Sequence, residues 1–574
     1  MDDVIEKAET DIKRLKKAFL LIVILGCSLA LVFINRSYSY SKYQRVQFES
    51  AGATLFANLY YPTNEVDFQE KSPLLIYAHG IGYQRDLDLR IPLEFSKRGF
   101  YVAAIDYQGH GESEGSIDNL VPGTNMPALA QDCSRLLDSL EKMPFYSERI
   151  NASQIGLIGH SLGGFAVLMT QALDPRFSVT VAWAPLVDPS SLGSEFTFGQ
   201  QFKEYWPVNY LNNTNTQNLL IIAHVNDEAL PYEKNALIAQ QKTGCELINI
   251  TEFLIGGGHA LYSHRALEES INWFENLYFK SETLNGPIVF TWFWTYVFIF
   301  IALFALILTS LTLIFFSAHY FTFKSPKNKD KKYVPKKSKM IEKTRLLFQW
   351  AKIISYILLF VGVWLFFQNL LGTIGLFFGS FIIFAVYIVG KIYVEHKVSK
   401  SWGKKFNLKE EIKGHFDRTA FLFTFISTGY YLGLFYIFTF SYPFAFVFPT
   451  NLFTVITAFT VFPLYFSLEL LYRKMIYPSL YFIRTEKQKA KIIAGLAVII
   501  QAILILSTLS WSLIPVVLFT HLIFLMSVIY NTAIYQKTKN FSSIVLSSLL
   551  SICFFFSAVI SQSLGMGSVL FYFV

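Results

Sequence analysis

The sequence predicts an α/β chain in two regimes: a doubly wound α/β sheet, then an all-α polytopic transmembrane region. Three observations carry this expectation. The 574 residues are 53% hydrophobic and 16% charged, with 57 Phe, a balance too apolar for an ordinary soluble protein. Between about residues 43 and 282, short apolar runs alternate with helical patterns, as strands and helices do around a parallel sheet. From 283 onward, apolar segments long enough to cross a bilayer follow one another, separated by short basic loops.

Taken in order, residues 1–42 read as a cytoplasmic N-terminus and an anchor. Lys13-Arg14-Leu15-Lys16-Lys17 precedes the apolar run 18–34, which is at the short end for a spanning helix. A cleaved signal peptide usually has a shorter apolar region and an obvious small-x-small site, so an uncleaved anchor is expected, its basic flank inside the cell. Next, "VQFESAGATLFANLYYP" reads as an antiparallel hairpin at a sheet edge. The runs 73–80, 101–107, 155–161, 179–185 and 218–225 are apolar and end in polar or glycine residues. They suit strands buried on both faces of a parallel sheet. Helical patterns fall at 127–143, 232–242 and 265–279. The region 283–574 holds about eight expected spans, near 288–316, 350–369, 372–394, 419–440, 452–472, 492–510, 512–534 and 542–564.

The charge pattern orients these spans. The loop 324–345 holds ten Lys and Arg residues, and the loops near 391–418, 473–491 and 535–540 are basic as well. With the N-terminus inside and nine spans in all, every basic loop falls on the cytoplasmic side, which puts the 43–282 domain outside the cell. The net charge of +8 therefore reports topology, and nucleic acid is not an expected partner. The spacing of the four cysteines suggests neither a metal site nor a bridge between Cys133 and Cys245.

The chemistry begins at Gly159-His160-Ser161-Leu162-Gly163, a G-x-S-x-G between a strand and a helical pattern. Such an elbow needs glycines because the turn is sharp, and it lifts the serine hydroxyl above the sheet. It also places the following backbone N–H, that of Leu162, where an oxyanion would form. A serine hydroxyl needs a base, and the base an orienting acid. After Ser161, Asp227 follows a buried run in "IIAHVNDEALP", and His259 sits in the glycine-rich "FLIGGGHALY". Asp188 also follows a strand and is the competing acid. His224 reads as a buried, hydrogen-bonded residue near a strand end.

With these residues in view, the domain resembles an α/β-hydrolase of the serine aminopeptidase and monoacylglycerol lipase type. The resemblance rests on "YAHGIGYQRD", "DYQGHGESEG", "IGHSLGG", "WAPLVD", "VNDEALP" and "GGGHALY", in that order, and covers about 240 of the 574 residues. It implies a Ser161, Asp227, His259 triad, with oxyanion donors at the backbone N–H groups of Ile81 and Leu162 and with no cofactor or metal. It also favours Asp227 over Asp188, because "D-x-x-L-P" matches the family, and it implies that His79 and His110 support loops and are not catalytic. The expected function is a membrane-anchored serine hydrolase acting on an acyl ester, lipid or amphiphilic, or on a peptide bond. The alternative is a transporter, channel or sensor whose hydrolase-like domain only binds ligand. Expected partners are a lipid or small acyl substrate and the bilayer, with the oligomeric state open.

Two further stretches bear on function. A lid is expected at about 186–218, carrying Phe196, Phe198, Phe202, Tyr205, Trp206 and Tyr210, which could either bind an acyl chain or pack the lid down. In the membrane region, Glu469 and Arg473 in "FSLELLYRKMIYPSL" resemble the E-x-x-x-R motif of CAAX-prenyl-protease-like proteins. The doubled Glu and the later His/Asn motif of those proteins are missing. A local ion pair at a membrane edge is the better reading, and the role of His521 in a later span stays open.

Overall fold

The computed structural model describes residues 43–63, 71–85, 88–192, 199–254, 257–279, 291–323, 339–371, 373–401, 416–440, 462–483, 485–508 and 514–556, with scattered positions between 16 and 30. Most of the expected anchor at 18–34 lies outside these residues, as do Phe196 and Phe198.

A hairpin opens the sheet: β1 (Tyr43–Ser50) pairs antiparallel with β2 (Ala53–Tyr60), and β2 with β4 (Tyr101–Asp106). The remaining strands are parallel: β3 (Ser72–Ala78), β5 (Ile150–His160), β6 (Val179–Trp183), β7 (Leu219–His224) and β8 (Glu246–Ile250). The order across the eight strands is β1-β2-β4-β3-β5-β6-β7-β8. β3 shows why the central runs are apolar throughout. Leu74, Ile76 and Ala78 point to one face, under α2 (Asp132–Leu140) and α3 (Leu162–Leu173). Leu75 and Tyr77 point to the other, under α1 (Arg90–Lys97) and α5 (His264–Phe279). With side chains alternating at period two, a strand covered on both faces has no position left for a solvated residue. The helix α4 (Ala236–Thr243) covers β7 and β8 at this end of the sheet, with Ala236 and Ala239 in the core there.

The order reverses at β3, whose neighbours β4 and β5 lie on opposite sides. The carboxyl ends of β3, β5, β7 and β8 open onto the same rim, where open α/β sheets bind their ligands. β8 was not among the expected strands. Its sequence, Glu246–Ile250, has mostly half-exposed positions because it is the edge strand, so the apolar signal is diluted. Helix α1 was not anticipated either.

The C-terminal part is helical: α6 (Thr291–Ser317), α7 (Lys339–Leu371), α8 (Thr373–Ser401), α9 (Arg418–Phe440), α10 (Phe462–Glu469), α11 (Glu486–Thr508), α12 (Ile514–Thr538) and α13 (Phe541–Ser551). α6 packs on α9, α7 on α8, α11 on α12 and α9 on α13, around a core that includes Trp364, Tyr472 and Ile534. α6 also runs against α1, where this bundle meets the α/β unit. Among the described residues one segment, Leu346–Phe367, is long and apolar enough to cross a membrane, with 22 residues at a mean hydropathy of 2.0. Phe304–Tyr320, Phe378–Gly390 and Phe541–Phe554 are shorter apolar helices. α10 continues through a π-helical segment, Leu470–Ile476. Here Arg473 Nε donates to Glu469 Oε2 at 2.9 Å, both side chains fully buried. Asn531 Nδ2 donates to Glu469 Oε1 at 2.8 Å. The pair thus forms as the helical spacing predicts, but in the core of the bundle. His521 lies on α12.

Candidate active site

β5 ends in Gly159 and His160, and Ser161 turns the chain into α3 with φ +56° and ψ −114°. A left-handed φ is strained for a residue with a Cβ, and such strain persists only where the surroundings fix it. Here the Ser161 N–H donates to Trp183 O at 2.9 Å, and Ser161 O accepts from Leu186 and Phe165 N–H at 3.0 and 3.1 Å. The glycines of the motif answer to close approach. A Cβ on Gly159 would enter the Gly163 carbonyl and the Val167 side chain, and one on Gly163 would enter the carbonyls of Ala78 and His79. One on Gly164 would sit 2.7 Å from Pro185 Cα. Helix α3 therefore starts hard against β3 and the segment after β6, which lifts Ser161 onto the rim.

Asp227 follows β7, and His259 lies on the loop between β8 and α5. The structure brings both to Ser161. His259 Nε2 stands 2.9 Å from Ser161 Oγ, and His259 Nδ1 stands 2.9 and 3.1 Å from the two Asp227 carboxylate oxygens. A carboxylate only accepts, so Nδ1 carries the proton and Nε2 is left to accept from the serine hydroxyl. Asp227 Oδ1 also accepts from the N–H groups of Ala229 and Leu230 at 2.9 and 2.8 Å, which holds the carboxylate on its turn. All three side chains are buried. Asp188 is engaged elsewhere: its Oδ1 takes the Ser190 N–H and hydroxyl at 2.9 and 2.6 Å.

Ile81 and Leu162 follow β3 and Ser161 respectively. Neither N–H donates to a protein acceptor among the described residues. The loop carrying Ile81 is held from the "DYQGHGESEG" stretch. Arg85 N–H donates to Asp106 Oδ1 at 2.6 Å, and the Arg85 guanidinium pairs with Asp106 and Glu112. His110 Nε2 accepts from the Gly82 N–H at 3.2 Å, so that nitrogen is unprotonated. Burial and the neighbouring His79 push the His110 imidazole down to about 3, which keeps it neutral. Asp106 is held down to about 2, the Arg85 and His79 contacts outweighing its burial. His79 stacks on Tyr107, ring centroids 4.6 Å apart. His224 Nδ1 accepts from Asn226 N–H at 3.0 Å, leaving Nε2 to donate to Glu252 O. These three histidines are structural in their contacts. In the lid, Phe202 and Trp206 are fully buried against Phe165 and its core neighbours, and Trp206 Nε1 donates to Gly199 O at 3.0 Å. Those two rings pack the segment down.

Residues 69–250 match the family model described as serine aminopeptidase, S33. This part of the chain is similar to α/β-hydrolases of the serine-hydrolase type. The quorum-quenching protein AidA of Acinetobacter baumannii is 30% identical over 147 residues, 25% of this chain and 44% of that protein. The platelet-activating factor acetylhydrolase of Cavia porcellus is 26% identical over 168 residues, 21% of this chain and 36% of that protein. The lysophosphatidylserine lipase ABHD12 of Danio rerio is 30% identical over 115 residues, 20% of this chain and 27% of that protein. The chain thus spans less than half the length of these curated relatives. Among solved structures, the α/β hydrolase GrgF from Penicillium sp. sh18 is 17% identical with a TM-score of 0.32, covering 41% of this chain and 98% of that one. An esterase from Pyrococcus furiosus is 16% identical with a TM-score of 0.33, covering 42% and 91%.

Sequence reasoning missed Arg90, Glu228 and the second role of His160, which all reach the His259 loop. Their side chains bind backbone atoms, and no motif spacing marks such a contact.

Proposed function

We propose that this chain is a membrane-anchored serine hydrolase that cleaves an acyl ester of a lipid or amphiphile. One observation carries the reading: the unbroken hydrogen-bond chain Ser161–His259–Asp227, buried at a strained elbow beside two unengaged backbone N–H groups. In this mechanism His259 Nε2 takes the hydroxyl proton as Ser161 Oγ bonds to the acyl carbon. Asp227 holds the imidazole tautomer and stabilises its cation. The N–H groups of Ile81 and Leu162 take the oxyanion, and His259 then returns the proton to the departing alcohol. Water attacks the acyl-enzyme with His259 again as base, and the acid is released.

The substrate class is supported by the relatives, one named as an acetylhydrolase of platelet-activating factor and another as a lysophosphatidylserine lipase. The family model, named for aminopeptidases, favours a peptide bond as the second reading. Membrane anchoring is supported by the helical C-terminal part. Large apolar side chains such as Phe348, Leu358, Phe366, Phe381 and Phe425 stand exposed there, more than a monomer keeps in water. The distribution of Lys and Arg favours an extracytoplasmic hydrolase unit.

The test is turnover by the full chain in detergent of a short-acyl phospholipid, a lysophospholipid and a peptide anilide, beside Ser161→Ala. Release of fatty acid by the wild type alone is the expected result. Equal turnover by both forms would refute the reading, and anilide cleavage alone would move it to a peptidase.

A further inference from the structure

The loop that carries His259 is gripped on both of its polar sides. On the carbonyl side, His160 Nε2 donates to His259 O at 2.8 Å. Arg90 donates from Nη2 to Ala260 O at 3.3 Å and from Nη1 to Leu261 O at 2.5 Å. On the N–H side, the Glu228 carboxylate accepts from Gly258 at 2.9 Å and from His259 at 3.3 Å. Three consecutive carbonyls and two consecutive N–H groups are thereby fixed. The gripping residues are placed with regularity, since His160 precedes Ser161 and Glu228 follows Asp227. Each residue that meets the His259 ring therefore has a chain neighbour holding the backbone under that ring.

Arg90 is the best-anchored member. The Asp88 carboxylate takes its Nε at 2.9 Å and its Nη2 at 2.6 Å, and its guanidinium lies over the rings of Tyr262 at 4.5 Å and Trp183 at 4.9 Å. Both charged side chains are at most 4% exposed. A buried ion pair is a poor source of stability by itself, because desolvation offsets the attraction. What this pair supplies is a rigid fork with two donors left over, and these meet adjacent carbonyls. The loop needs such holding. Leu261 has φ +46°, a left-handed conformation that a branched side chain avoids. The glycines upstream permit the approach from the other side. A Cβ on Gly257 would run into the Glu228 carboxylate, and one on Gly258 would lie 2.7 Å from His224 Nδ1. Burial and the nearby His259 push His160 down to about 3, so it is neutral and its Nε2 proton is available for the carbonyl.

We propose that Asp88, Arg90, His160 and Glu228 are positioning residues that clamp the His259 loop and hold its imidazole in line between Ser161 and Asp227. The proposal rests on the hydrolase reading above. Supports of this kind matter because a displacement near 1 Å at a reacting group costs on the order of a hundredfold in rate.

The test uses the full chain in detergent with two readouts, kcat on p-nitrophenyl acetate and amide hydrogen exchange of the 257–263 loop. Arg90→Lys keeps the charge for Asp88 but cannot span two carbonyls. His160→Phe keeps a ring without the donor. Glu228→Ala sits on the exposed rim and carries the test if the buried variants fail to fold. The expected result is loop exchange faster by about tenfold or more. With it goes a kcat loss of roughly tenfold to a hundredfold, KM changing less than about twofold. Glu228→Gln, which retains an acceptor, should restore part of the loss. In a His259→Ala background the same substitutions should cost nothing further, since the residue they position is gone. Unchanged loop exchange in Glu228→Ala and His160→Phe, or equal kcat losses with and without His259, would overturn the clamp. If wild type and Ser161→Ala hydrolyse the ester alike, the hydrolase reading fails instead, and loop exchange still decides the clamp.

Discussion

Acidification should destabilise the α/β unit through its buried neutral histidines. His110 and His160 are both held near 3, against about 6.5 for a free imidazole. Between those values the unfolded chain takes up protons that the folded one refuses. The stability is therefore whole above pH 6.5 and is lost as pH falls toward 3. At pH 5 each histidine costs about 2 kcal/mol, roughly 4 kcal/mol together. Asp132 works the other way. It accepts from Ser50 and Gln108, yet burial raises its carboxyl to about 6, so protonation between pH 6 and 4 favours the fold. That returns about 1.3 kcal/mol at pH 5, leaving a net loss of about 2.5–3 kcal/mol. Asp106, held to about 2, contributes only below pH 4. Urea unfolding followed by tryptophan fluorescence reads this, because Trp183 and Trp206 are buried in the unit. The pH 5 midpoint should fall, and His110→Asn should remove about 2 kcal/mol of the pH dependence. Equal stability at pH 5 and 7, or an unchanged slope in His110→Asn, would refute the assignment of neutral buried imidazoles.

Three further outcomes follow from the same contacts. Asp227→Asn should lower kcat by about three to four orders of magnitude with KM little changed, read with the preferred ester, because the imidazole tautomer is lost. A loss below tenfold would return Asp188 to consideration. Trp206→Ala should cost about 3–5 kcal/mol of unfolding free energy, since the ring is fully buried, while leaving acyl-chain preference unchanged. A changed chain-length profile at unchanged stability would make the ring a substrate contact. Arg473→Ala should destabilise the helical bundle by about 3–5 kcal/mol in thermal unfolding, because Glu469 stays buried without its cation. A paired Glu469→Leu, Arg473→Met change should recover most of that loss, and failure to recover would point to a role beyond packing.

How much of this was legible in the sequence depended on which atoms do the work. β3 to β7 were readable because strands covered on both faces leave a continuous apolar run. β8 was not, because an edge strand alternates weakly. The meeting of Ser161, Asp227 and His259 on one rim was legible because the loops after successive parallel strands open onto the same edge of the sheet. Arg90, Glu228 and His160 were hidden, since they act on backbone carbonyls and N–H groups some 170, 30 and 100 positions away. Glu469 and Arg473 were readable as a helical pair. Their depth in the bundle was not, because it depends on α12 and α13 packing over them with Asn531 and Ser548.

The proposed function stands or falls with Ser161 as the nucleophile, activated by His259. Mass-spectrometric mapping of a fluorophosphonate adduct on the full chain tests it most directly. One adduct is expected, on Ser161, with labelling slowed by at least about a hundredfold in His259→Ala. An adduct on another residue, or labelling of Ser161 at an undiminished rate without His259, would contradict it.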